Sequence, residues 1–247
     1  MTTSPQGTAK HLIIGAGPIG LAMADAMKKR GLAYDQVDAS SDVGGNWLHG
    51  VYRTAHIVSS KASTQYADYP MPADYPDFPS ADQMLAYLRA YAKDRGLLSS
   101  IAFNKKVERA EPAAEQLWNV VFADGDKRTY KSVVVCNGHH WDKRYPRLPG
   151  KFTGDVLHSK DYTGPEQIAG KRLLVIGGGN SGVDMACDGG RFGACCDLSL
   201  RSGYWYLPKT FLGRPLTDLP IWGLPIFVQR AILKTIIGLS IGDYRRY

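Results

Sequence analysis

An α/β fold holding two parallel β-α-β units is predicted by two stretches of the sequence. Residues 10–27, KHLIIGAGPIGLAMADAM, run from an apolar strand through three glycines into a helix. Residues 171–186, KRLLVIGGGNSGVDMA, repeat the pattern. A strand followed by a helix and a second strand is the building block of a parallel sheet. Bulk agrees, because 247 residues with 44% hydrophobic content can bury one large core or two small ones.

The first unit needs a strand at residues 11–15, a helix from about Pro18 to Lys29 stopped by Gly31, and a second strand ending at Asp38. Residues 44–79, rich in Gly, Pro, Ser and Tyr, read as an ordered excursion. Ser80 and Gln83 form a capping box for the next helix, whose Met84, Leu85, Leu88 and Tyr91 share one face, with Gly96 just past its end. LWNVVFADGDKRTYKSVVVCNG reads as strand, Asp124-Gly125 turn and strand, closing on an apolar run at Cys136. Proline-punctuated residues 139–150 make the predicted boundary between domains at 8–150 and 151–247. The second unit begins at Lys171, and its next strand, CDLSLR, ends on Arg201. One apolar segment, 219–241, comes after it. Pro220, Pro225, Gln229, Arg230 and Lys234 interrupt it, so it reads as a buried or interfacial helix rather than a membrane span.

Composition narrows the partners. The net charge of +7 suits an anionic ligand. Its cations are scattered, with short clusters at Lys28-Lys29-Arg30 and Arg245-Arg246, and no nucleic-acid module is recognisable, which favours a phosphate-bearing small molecule. Cys136, Cys187, Cys195 and Cys196 show neither CxxC nor zinc spacing, so no metal site is expected and reduced thiols in a cytoplasmic protein are. MTTSPQGTAK has no apolar run of the secretory kind.

The glycines carry the chemistry. In GxGxxG the first allows the turn from strand to helix, the second lets backbone approach a pyrophosphate, and the third lets helix and strand touch. The helix N-terminus then presents free N–H groups to the anion. Gly15, Gly17 and Gly20 meet this spacing, and so do Gly177, Gly179 and Gly182. Each copy sits between a strand and a helix, the context that makes the motif informative. Asp38, 18 residues past Gly20, can bond both hydroxyls of an adenosine ribose and would repel a 2′-phosphate, so the first site takes FAD or NAD(H). After the second cradle the comparable position is Arg201, whose guanidinium suits the 2′-phosphate of NADP. Two such sites point to an enzyme passing hydride from NADPH to a flavin.

FTGDVLHSKDY, residues 152–162, resembles the FxGxxxHxxx(Y/F) fingerprint of flavin-containing monooxygenases, with Phe152, Gly154, His158 and Tyr162 on the motif positions. The related Baeyer–Villiger monooxygenases usually carry Trp where Tyr162 stands, while Thr163 departs from the basic residue common in the nearer branch. GGNW at 44–47, CNGHHWDKRYPRLPG, GGGNSG and LRSGYWYLPK keep the family's order. The resemblance implies two Rossmann-like domains. Gly15, Gly17, Pro18 and Gly20 would hold the FAD pyrophosphate and Asp38 its ribose, with Gly45 and Trp47 lining the flavin side. Gly177, Gly179, Asn180, Ser181, Gly182 and Arg201 would hold NADPH. His158 would lie in the segment joining the two domains.

The activity implied is transfer of one oxygen atom from O2, through a C4a-hydroperoxide of the flavin, to a soft nitrogen or sulfur nucleophile on a small organic substrate. Aligning VSSK puts Val58 where many relatives carry an active-site Asn, so no side-chain acid, base or nucleophile is assigned. In the family the chain returns after the NADP domain to complete the FAD domain, and nothing after GLSIGDYRRY does so here. The expectation is an FAD domain lacking its C-terminal part. Two other readings stay open: a non-catalytic nucleotide-binding fragment, and a flavin disulfide reductase, for which no cysteine pair is available.

Overall fold

The computed structural model describes residues 10–203, 207–240 and 242. The leader reading of MTTSPQGTAK, residues 204–206 of LRSGYWYLPK and the Arg245-Arg246 cluster therefore lie outside the described residues, apart from Lys10. The elements, in order, are β1 (His11–Ile14), α1 (Pro18–Lys29), β2 (Tyr34–Val37), α2 (Asn46–His49), α3 (Lys61–Thr64), α4 (Ala81–Asp94), β3 (Ile101–Ala102), β4 (Val107–Pro112), β5 (Trp118–Phe122), β6 (Lys127–Tyr130), β7 (Ser132–Val135), β8 (Arg172–Ile176), α5 (Asn180–Phe192), β9 (Cys195–Ser199), β10 (Thr210–Phe211), β11 (Arg214–Pro215) and α6 (Ile226–Ser240). The chain divides into two compact units, one from Met1–Tyr52 with Ala81–Tyr162 and the other from Arg53–Ser80 with Thr163–Tyr247. Compactness thus splits the 44–79 excursion, leaving 44–52 in the first unit and placing 53–80 in the second, and runs the first unit as far as Tyr162, a different partition from the motif-based boundary at 150/151.

The first unit is built on a parallel sheet in the order β3-β2-β1-β7. Its central strand explains itself: Leu12 and Ile13 are fully buried, as only a strand covered on both faces allows. Helix α1 buries Leu21, Ala24 and Met27, and α4 buries Met84, Leu88 and Tyr91. The one acid inside this packing, Asp25, is satisfied by the Tyr91 hydroxyl at 3.0 Å and by Lys29, one helical turn on, at 2.7 Å. Helix α4 starts right after Ser80 and ends with Gly96 at φ 60, where the amides of Gly96 and Leu97 reach back to the carbonyls of Lys93 and Ala92.

A separate antiparallel sheet, β4-β5-β6, interrupts the parallel one. Val120, Phe122 and Tyr130 from it form a core with Leu12 and Val37. The Tyr130 hydroxyl donates to Asp35 at 3.2 Å, and burial together with that carboxylate pushes its pKa up to about 12. Because the folded state holds this proton above the ordinary value of 10.0, its contribution to stability is whole below pH 10 and drains away as pH climbs toward about 12. Denaturant midpoints measured from pH 8 upward should therefore fall steeply above 10, and less steeply in a Tyr130→Phe variant.

In the second unit β8 and β9 form a two-stranded parallel sheet with α5 on one face. Leu174 and Ile176, on the other face, are exposed. The excursion is tied into this unit by side chains: Thr54 donates to the buried Asp188 at 3.0 Å, Ser60 bonds Asp218, and the Lys61 ammonium takes the carbonyls of Ala73 and Tyr75 at 3.1 and 2.6 Å. The apolar segment expected at 219–241 is helical only from Ile226, because Pro220 and Pro225 hold the preceding residues in turns. No described helix is long and apolar enough to cross a membrane.

Candidate functional site: two glycine cradles

The first cradle is closed by backbone packed on backbone, held by the side chains of Gln36 and Asp38. Gly15 adopts φ +111, and a Cβ there would lie 2.4 Å from the Cys136 carbonyl oxygen. A Cβ on Gly20 would stand 2.0 Å from the Gly15 oxygen, so α1 reaches its strand only because position 20 is bare. The 44–47 loop folds over the same turn: the Gly44 amide donates to the Ala16 carbonyl at 3.0 Å, and a Cβ on Gly45 would come within 2.9 Å of the Gly17 Cα. Gly45 takes φ 58, and Trp47 lies in the single turn α2, its amide on the Gly44 carbonyl. Gly17 is the N-cap of α1, Pro18 fills the first helical position, and no side chain caps the helix. The uncapped amides of that first turn are what an anion needs.

Asp38 comes directly after β2 and is held by the cradle itself. Its Oδ2 accepts the Ala16 N–H at 2.6 Å and its Oδ1 accepts the Ser40 N–H at 2.7 Å. Each oxygen keeps lone-pair capacity for a ligand hydroxyl. Beneath it lies a residue that sequence reading passed over. Gln36, 1% exposed, donates from Nε2 to the Gly15 carbonyl at 2.9 Å and so fixes the turn from below. Its signal was available, since a polar side chain inside the short strand YDQV has to find a buried partner.

The second cradle repeats the geometry but stays open. Gly177 takes φ +112, and a Cβ on Gly182 would meet the Gly177 oxygen at 2.1 Å, whereas Gly179 has nothing within 4 Å. Asn180 and Ser181 open α5, whose N-cap Gly179 carries no side-chain cap. Gly15, Gly17 and Gly20 are buried, while Gly177 and Gly179 are exposed.

Register refines the specificity argument. In the first unit the Gly15 amide donates to the Val37 carbonyl at 2.8 Å, and Asp38 is the next residue. In the second, the Gly177 amide donates to the Ser199 carbonyl at 3.0 Å, so the counterpart of Asp38 is Leu200, and Arg201 stands one residue farther, beyond the end of β9 rather than at its last position. Leu200 removes the carboxylate, and the exposed Arg201 is the first charge past it.

The fingerprint segment has no strand or helix in the described chain. Tyr162 is buried against the Tyr52 ring at 5.5 Å, Phe152 is 74% exposed, and Gly154 would drive a Cβ into the Phe152 ring. His158 lies edge-on to Tyr145 at 5.3 Å and accepts the Lys160 amide through Nδ1 at 3.0 Å. Val58, exposed, has no polar group to offer. All four cysteines are free, and burial pushes the Cys136 thiol up.

Residues 8–236 match the family described as flavin-binding monooxygenase-like. The chain belongs to that family. Among curated relatives it is 35% identical over 239 residues to indole-3-pyruvate monooxygenase YUCCA1 of Oryza sativa subsp. japonica, covering 94% of this chain and 58% of that one. It is 36% identical over 217 residues to flavin-containing monooxygenase 5 of Oryctolagus cuniculus, covering 80% of this chain and 41% of the relative. Of solved structures, a flavin-containing monooxygenase from Stenotrophomonas maltophilia superposes with a TM-score of 0.74 at 27% identity, over 91% of this chain and 67% of that one. An oxidized steroid monooxygenase bound to NADP superposes with a TM-score of 0.68 at 26% identity, over 81% and 40%. This flavin-binding monooxygenase-like chain thus spans about half the length of the curated relatives it matches. That steroid monooxygenase structure holds NADP, and in this chain the first turns of α1 and α5 carry no side-chain cap, which leaves backbone N–H groups of the kind a pyrophosphate accepts.

Proposed function

We propose that the first cradle holds FAD, the second holds NADPH, and the protein to which this sequence belongs transfers one oxygen atom from O2 to a soft nitrogen or sulfur centre of a small organic substrate, in the cytoplasm. The observation that carries the reading is the contrast between the residues just past the two parallel strands: Asp38, gripped by the Ala16 and Ser40 amides, against Leu200 and Arg201. The carboxylate at the first site favours a ribose with free hydroxyls. The guanidinium at the second favours a 2′-phosphate.

FAD, when bound, supplies the redox chemistry and oxygen activation. The chain supplies placement. Gly17, Pro18 and Gly20 present the start of α1 to the pyrophosphate, Gln36 holds the Gly15 carbonyl, and the Gly45–Trp47 loop packs over the turn. No acid or base is assigned among the cradle residues, whose part here is to bind and orient.

Titration with NADP+ and NAD+ tests the assignment. NADP+ should bind at least about tenfold more tightly, and Arg201→Ala should erase that preference while leaving NAD+ unchanged, a charge-assisted pair to a phosphate being worth that much. Equal affinity for the two nucleotides in the unmodified chain would refute it.

A further inference from the structure

The second unit contains an open apolar groove that neither cradle uses. It measures about 630 Å3 and runs along α6 from Ala231 to Leu239, walled opposite by the hairpin of β10 and β11 and by Leu219 and Ile221. A volume of this size matches small-molecule sites. Its lining is apolar apart from Thr235 and one charge, Arg214. No ion pair of Arg214 is seen among the described residues, and the nearest acid in the sequence, Asp218, is already engaged by Ser60 and Thr217. Between residues 207 and 240 Asp218 is the only carboxylate against four cations, Lys209, Arg214, Arg230 and Lys234.

The hairpin adds an independent observation. Phe211 pairs with Arg214, so Leu212 and Gly213 form a two-residue turn, with φ 51 and φ 76. Both positions of such a turn favour Gly, Asn or Asp, and a leucine in the left-handed region is unfavourable there. Yet Leu212 is 87% exposed, so burial does not compensate it. It stands on the groove wall two residues from Arg214. Leu212 thus sets an exposed apolar side chain at the edge of the groove in a backbone conformation that neither its residue type nor its burial favours.

We infer that this groove binds a free amphiphilic carboxylate, its aliphatic chain lying along α6 beneath Leu212 and its carboxylate on Arg214. Charge complementarity selects the head group, and the lining selects the tail. The inference does not depend on which nucleotide either cradle holds.

Calorimetric titration of the full chain tests it with three probes: dodecanoate, dodecanol as the neutral tail, and butyrate as the head group without a tail. Dodecanoate should bind saturably at one site, dodecanol about tenfold more weakly, and butyrate not measurably. Arg214→Gln should bring dodecanoate to the level of dodecanol with the circular dichroism spectrum unchanged. Leu212→Asn, which suits the turn, should raise the thermal midpoint while weakening dodecanoate several-fold. NADP+ titration of the same variants should be unmoved, which separates a failure here from a failure of the nucleotide assignment. Equal binding of dodecanoate and dodecanol, or wild-type affinity in both variants, overturns the proposal. So does flotation with anionic vesicles without binding of monomeric dodecanoate, which would make this face a bilayer surface. A dimer in sedimentation that dodecanoate leaves intact would also overturn it, since a second copy would then fill the groove.

Discussion

Gly20→Ala is expected to abolish FAD binding and to destabilise the first unit by roughly 3 kcal/mol or more, the range reached when backbone must move to admit a methyl group. The reason is geometric. The new Cβ would stand 2.0 Å from the Gly15 carbonyl oxygen, an atom that belongs to rigid backbone and is pinned by Gln36. Helix α1 can accommodate it only by lifting from β1, which removes the first-turn amides from the pyrophosphate. Gly182→Ala is the mirror experiment, with its Cβ 2.1 Å from the Gly177 oxygen. It should abolish NADP+ binding and leave FAD binding as it was. Gly190→Ala is the control, since nothing lies within 4 Å of a Cβ there and alanine is the better helix former. Flavin fluorescence, nucleotide titration and denaturant midpoints on the three variants check the prediction. Unchanged affinity in both cradle variants would remove the glycines from any role in binding.

Phe122→Ala is expected to cost about 4 kcal/mol, within the range measured for deleting a buried aromatic ring. The ring is fully buried and joins the antiparallel sheet to Leu12 and Val37 of the parallel one. It also carries two cations at its faces or edges, Lys105 with its ammonium 4.6 Å from the ring centroid and Arg128 at 5.5 Å. Loss of the ring therefore opens a cavity and removes the cation–π contacts together. Phe122→Leu keeps most of the volume and should cost less than half as much. Chemical denaturation of both variants measures this, and near-equal midpoints would show that the two sheets are held together by something else.

Much of the first unit was legible because its constraints are local. A strand that ends at a glycine, a helix that cannot begin any other way, and an acid at the close of the next strand all leave marks within thirty residues. The helix at Ala81–Asp94 was equally plain. The strand Val107–Pro112 was not. Its sequence, VERAEP, shows no apolar alternation, since most of its residues face solvent and it exists through pairing with Trp118–Phe122 across a register shift. Ile101–Ala102 is too short to signal anything, and joins the sheet through β2. The apolar run SVVV read as the return of a hairpin. In the fold Tyr130 and Ser132 part company, the first closing the antiparallel sheet and the second beginning a parallel strand beside β1. The position of Arg201 shows the same limit at the site. Counting from the glycines reaches it, but only the Gly177–Ser199 hydrogen bond reveals that Leu200 occupies the place of Asp38.

The unequal wrapping of the two turns sets a kinetic expectation. The Gly15–Gly20 turn is buried and packed against the Gly45 loop, so a ligand seated on it is expected to leave only with main-chain opening and to dwell long. One resting on Gly179 meets no such loop within its own unit and leaves at the pace of diffusion and charge pairing. A resident prosthetic group and a shuttling coenzyme are told apart by how much peptide each must displace to escape.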